Sequence, residues 1–235
     1  MKTITPIIVL IYLLAACSPE NNDATQSPKP SAFTMKDGVT IPNNPYNSYD
    51  FVGATYTELL DGYYSTTANP TSLQQVILEG ESLALQNAGF LALMNSEGYS
   101  PITVSQVQPY FQTVGDVTDL LSTGYGGKSR EIFTDISLSL ASLKQSGANY
   151  QEVYNELAGI EAITMNNAEI PNAERAGILT TTSILRNALY HDTKRKRRDR
   201  DWEWMIGNIA ATANAALESK ADALLIAFAT DVYLP

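Results

Sequence analysis

Apolar side chains recur along this chain at intervals of three and four, the spacing that stacks them on one face of an α-helix. Thr71-Ser72-Leu73-Gln74 has the form of a capping box, and Leu73, Val76, Ile77, Leu83, Leu85, Leu91 and Met94 carry the pattern on to the breaker Gly98. Gly80 and Gly89 weaken the case for one unbroken helix there. Beyond Pro101, the segment Thr103 to Leu121 reads as helical, with Pro109 kinking or dividing it because proline lacks the N–H the ladder needs.

From Arg130 the pattern is cleaner. Ile132, Phe133, Ile136, Leu140 and Leu143 share one face until Gly147 ends the helix. Asn149 opens the next, Glu152 completes a box-like cap three residues on, and Val153, Leu157, Ile160 and Ile163 form its stripe. Pro171 marks the start of a further helix through Ile178, Ile184, Leu185 and Leu189. A last helix is expected from about Trp202 to Thr230, with Ile206, Ile209, Ala213, Ala216, Leu217, Leu224 and Phe228 inward. Few stretches alternate strictly and no repeat is evident, so the expected fold is all-α, a helical bundle of six or seven helices.

The first residues follow a different rule. Met1-Lys2 is a short positive start, and Ile7 to Leu14 is an apolar run of signal-peptide length, shorter than the roughly 20 residues a bilayer span needs. It ends in Leu14-Ala15-Ala16-Cys17, which resembles the lipobox of bacterial lipoproteins. The resemblance implies diacylglycerol on the Cys17 thiol, cleavage before that residue, and acylation of the new amine. Cys17 is the chain's single cysteine, so lipidation accounts for an otherwise stray thiol and leaves none for a disulfide. Ser18 to Ser31 is rich in Ser, Pro, Asn and Asp and poor in apolar groups, a composition that cannot offset its own conformational entropy by burial. The expected organisation is a signal peptide at 1–16, a lipidated flexible tether at 17–32, and one helical domain at 33–235. In the lipoproteins it resembles, Ser18 beside the cysteine implies passage to the outer membrane.

The domain is long enough for a sizeable core, and a hydrophobic share of 44% fits a globular class. The net charge of -10 argues against general nucleic-acid binding. Asn44-Pro45-Tyr46, followed by Tyr49-Asp50-Phe51-Val52-Gly53 and Leu59-Leu60-Asp61, resembles the opening of uncharacterised Bacteroidota lipoproteins, which begin with Asn-Pro-Tyr-Asp-x-x-Gly ahead of a helix. Asn47 and Ser48 intrude between Tyr46 and Asp50, and the resemblance brings no catalytic residues with it.

Candidate chemistry is sparse. Gly124-Tyr125-Gly126-Gly127-Lys128-Ser129 invites a phosphate-loop reading, but Ser122 stands where that motif needs its first glycine. A buried strand should also precede such a loop, whereas Val117 to Leu121 reads as a helix end, so a helix-to-helix linker is expected. His191, the only histidine, removes multi-histidine metal sites and is expected on the surface near a helix end. Glu152, Glu156, Glu161 and Glu169 read as a solvated helix face, and no cofactor is implied.

Six of the fifteen basic residues cluster at Lys194, Arg195, Lys196, Arg197, Arg198 and Arg200, in an otherwise acidic chain. They are candidates for binding an anion such as a lipid phosphate or an acidic envelope partner; the plainer alternative is a solvated loop whose charges meet Asp199, Asp201 and Glu203. Trp202 and Trp204 fall on different faces of the helix that follows. Two function classes remain: a membrane-tethered binding or structural lipoprotein, favoured, and a cell-envelope hydrolase acting on glycan or cell-wall material.

Overall fold

The computed structural model describes residues 41–66, 72–111, 115–195 and 202–233, and of residues 195 and 202–204 only the backbone. In chain order these form α1 (Asp50–Thr66), α2 (Leu73–Ala84), α3 (Ala88–Glu97), α4 (Val104–Val107), a 3-10 turn (Gln108–Phe111), α5 (Val117–Leu120), α6 (Gly127–Ser146), α7 (Tyr150–Asn166), α8 (Asn172–Arg195), α9 (Trp202–Glu218) and α10 (Lys220–Val232). The fold is all-α, as the spacing predicts, and no strand occurs among the described residues.

The expected segments resolve into more and shorter helices because side-chain caps interrupt two of them. The run from Leu73 to Gly98 breaks at Leu85 to Asn87, where the Asn87 side chain accepts from the Phe90 N–H and starts α3. Neither Gly80 nor Gly89 causes the break. The cap of α2 is Ser72, accepting from Gln75 N–H, one residue later than the Thr71 box. Ser219 divides the expected last helix: it is extended, and its hydroxyl accepts from the Ala221 and Asp222 N–H groups while donating to Gly98 O. Pro109 falls in the 3-10 turn that follows α4, as a proline break requires. Gly147 closes α6 in the left-handed region at φ 69°, and Asn149 with Glu152 forms the expected box on α7.

Two apolar clusters hold the bundle. One gathers α1, α2, α3 and α10 around Tyr56, Leu60, Ile77, Phe90 and Phe228. The other joins α5, α6, α7 and the α8–α9 pair around Phe133, Ile136, Leu157, Ile178 and Ile209. Helices α8 and α9 supply both: Ile184 and Ala211 face the first cluster, Leu185 and Ala210 the second. In α10 the run Ala223 to Val232 is buried without interruption, the mark of a helix with neighbours on every side. Each large apolar residue there, such as Leu224 or Phe228, contributes about 1.5–3 kcal/mol by leaving water. Gly53 lets α1 approach α8 closely, since a Cβ there would lie 2.3 Å from Asn187 Nδ2 and 2.5 Å from Ser183 O. Two expected core residues face water instead: Leu85 is 50% exposed and Ile163 63%.

No helix among the described residues is long and apolar enough to cross a membrane.

Candidate functional site: a buried charge cluster and the cavity beside it

Helix α8 carries Thr180-Thr181-Thr182-Ser183 and then Arg186-Asn187, and all six are buried. A polar run of this kind leaves water at little cost only where its groups find partners, and of these side chains the Thr180 hydroxyl has none among the described residues. Thr181 bonds back to Gly177 O, and Ser183 Oγ donates to Asp50 O while accepting the Gly53 N–H. Asn187 accepts from Thr57 Oγ1. This polar face receives α1.

At the centre lies Glu161, on α7 and wholly buried. Its Oε1 accepts from Asn47 Nδ2 at 2.8 Å, Thr182 Oγ1 at 2.8 Å and Arg186 Nε at 3.1 Å, and its Oε2 from Asn44 Nδ2 at 2.5 Å. The solvated face expected for Glu152, Glu156, Glu161 and Glu169 is therefore corrected at this position. Glu152 and Glu169 are exposed and Glu156 is half-buried against Ser139, but Glu161 follows Leu157 by four residues and Tyr154 by seven, which puts it in the inward stripe. That spacing is visible in the sequence. Its partners are not, since Asn44 lies 117 residues away.

Arg186 joins Glu161 to Asp50, with Nη2 2.5 Å from Asp50 Oδ1. Burial works against its charge, but Glu161 and Asp50 outweigh that and hold the guanidinium above its usual value. Its Nη1 is buried without a hydrogen-bond partner, and the Tyr154 ring lies 5.8 Å from the guanidinium carbon. Tyr154 Oη donates to Asn43 O, and Asn47 Nδ2 also reaches Leu179 O. Residues 43–50 thus form a strap laid across α7 and α8, with Asn44, Asn47 and Asp50 as its inward teeth. Asn44 and Asp50 belong to the opening that resembles the Bacteroidota lipoproteins, whereas Asn47, which interrupts that resemblance, is one of the two side chains that bind Glu161 from the strap.

Beside the cluster a cavity of about 480 Å³ opens between Ser48 and Tyr49 of the strap and the first turns of α8, where Arg175 and Leu179 line it. Arg175 donates to Asn172 Oδ1 at 3.0 Å, Asn167 O at 2.7 Å and Ile170 O at 2.9 Å.

The glycine-rich loop joins α5 to α6 as a linker, and one of its amides is taken by a carboxylate. Glu174 Oε2 accepts from Gly126 N–H at 2.8 Å and from Ser129 Oγ at 2.6 Å, at the α6 N-terminus where a phosphate would otherwise sit. Lys128 turns outward to Glu131. His191 corrects a second expectation: it does lie near the end of α8, but it is only 3% exposed, stacked on Tyr64 and 3.2 Å from Asp61 Oδ1. Of the basic run, Lys194 lies 4.4 Å above the Tyr190 ring and Arg195 ends α8. Lys196, Arg197, Arg198 and Arg200 lie outside the described residues, as does Cys17; the side chains of Trp202 and Trp204 do too. Among the described residues no cluster of His, Cys, Asp and Glu is arranged to hold a metal ion.

No protein-family model matches this chain, and no curated protein or solved structure matches it significantly.

Proposed function

We propose that this chain is a bacterial lipoprotein, held at a membrane through Cys17 and routed to the outer membrane, whose helical body works by binding or scaffolding rather than by catalysis. The anchor rests on the order of residues at the start of the chain: a positive start, a short apolar run, then Leu14-Ala15-Ala16-Cys17 and a polar stretch. The observation that carries the non-catalytic reading is the state of Glu161. Both its oxygens are engaged by four donors that fasten the strap to α7 and α8, so the most deeply buried charge cluster has a structural occupation. A general acid or base needs a proton it can exchange with a reacting group.

The basic residues Lys194 to Arg198, with Arg200, extend this reading to an anionic surface. Lys194 and Arg195 stand at the C-terminus of α8, where the helix dipole favours cations. The anchor is tested by metabolic labelling with palmitate and by fractionation. Cys17→Ser is expected to abolish incorporation and release the protein from the membrane fraction, and continued labelling of that variant would refute the anchor.

A further inference from the structure

The cavity beside the strap has the chemistry of an anion site. Arg175 carries a positive charge with no carboxylate partner among the described residues. Three of its N–H groups are fixed by an amide oxygen and two backbone carbonyls, which hold the guanidinium in place without neutralising it. Its Nε–H is sealed from solvent with no partner among the described residues, so what remains for a ligand is the guanidinium charge and the second hydrogen of Nη1. Around it the cavity offers further donors, the Ser48 hydroxyl and the Asn172 amide, and among the described residues no Asp or Glu lines the wall. The remaining wall is apolar or aromatic: Tyr49, Met165, Ala176 and Leu179. A volume of about 480 Å³ falls within the range of small-molecule sites.

A pre-set, uncompensated arginine recognises a planar anion better than a neutral group, because a charge-assisted hydrogen bond is roughly twice as strong as a neutral one. A single arginine with an apolar wall suits one negative charge carried on an organic body. We propose that this cavity binds a small monocarboxylate, its carboxylate against Arg175 and its body on Tyr49, Met165 and Leu179. The inference deepens the reading of the body as a binding module and does not depend on the anchor. It also gives the strap a second role, since Ser48 and Tyr49 are carried on the segment that Glu161 clasps.

The test is calorimetric titration of the purified full-length protein with benzoate, with neutral benzamide and inorganic phosphate as the comparison arms. Benzoate is expected to saturate with a Kd of about 1 mM or tighter, and each comparison compound to bind at least about tenfold more weakly. Arg175→Gln should weaken benzoate by about tenfold or more. Because Arg175 also holds the loop before α8, a second variant, Ala176→Phe, fills the cavity while leaving those bonds in place, and it should abolish binding with the thermal melt unchanged. The proposal fails if wild type shows no saturable benzoate binding or if benzamide or phosphate binds equally well. It also fails if a folded Ala176→Phe protein binds benzoate as wild type does. Loss of the anchor in the palmitate experiment would leave these results untouched.

Discussion

Arg186 and Glu161 meet across the α7–α8 interface with Nε 3.1 Å from Oε1, and neither side chain has any solvent exposure. Removing Glu161 leaves the buried Arg186 with only the partly exposed Asp50 as counter-charge and takes the acceptor from Asn44, whereas removing Arg186 leaves Glu161 as a buried carboxylate with no cation. Glu161→Ala is therefore expected to lower stability by about 3–5 kcal/mol in urea unfolding followed by circular dichroism. Changing both partners to apolar residues of similar size, Glu161→Leu with Arg186→Met, should recover the part of that loss due to the stranded guanidinium, while Asn44 still lacks its acceptor and Asp50 its cation. A double variant no more stable than Glu161→Ala would show that stranded charge is not what the single change exposes.

The acid side of the stability profile has a separate marker in Asp222. Burial raises its carboxyl above the usual 3.8, and the nearby Glu218 adds to this, against a lowering contribution from the Ser100 N–H. With the folded value above the unfolded one, the unfolded chain releases this proton first. Asp222 therefore carries no penalty below about 3.8; the penalty grows as pH rises towards the folded value and is complete above it. Asp222→Asn, which keeps an oxygen for the Ser100 N–H, should equal wild type in stability at about pH 3 and exceed it at neutral pH. Thermal melts of the two proteins across that window measure the difference, and a gap that closes on raising the pH would reverse the sign.

The basic run is testable by salt. Each Lys or Arg beside an anionic bilayer contributes on the order of 1 kcal/mol, and exposed charges lose most of their reach beyond about 8 Å at physiological ionic strength. The protein carrying Cys17→Ser should sediment with vesicles containing anionic lipid at low salt and release them as salt is added. Replacing Lys194, Arg195, Lys196, Arg197 and Arg198 with Gln should remove the binding while leaving the helical spectrum intact. Equal sedimentation of the two proteins, or none by either, would reduce the run to a solvated loop.

What the sequence made legible follows the range of the interactions involved. The limits of α6 and α7 depend on Gly147, Asn149 and Glu152, all within a few residues of the ends they set, and these are readable. The break at Ser219 was equally local, since Ser219 and Asp222 are three apart in the form of a cap, but the Ala-rich stripe running through it masked the signal. The charge cluster was out of reach for a different reason. Asn44, Asp50, Glu161 and Arg186 are polar residues of the kind found on any solvated surface, and they become a core only when strap, α7 and α8 are brought together. His191 belongs to the same class, because Asp61 and Tyr64 come to it from α1.

The enclosure of α10 also has a consequence in time. Helices α1, α2 and α3 pack against α10, so the apolar faces of the first three cannot close until residues 220–232 are present. Synthesis of the stretch between α1 and α10 takes on the order of ten seconds or more, far longer than a helix needs to form. During that interval the early segments have secondary structure to gain but no completed core to lock it. A chain exported in the unfolded state, as the proposed anchor requires, would meet its translocation machinery before it had a reason to fold.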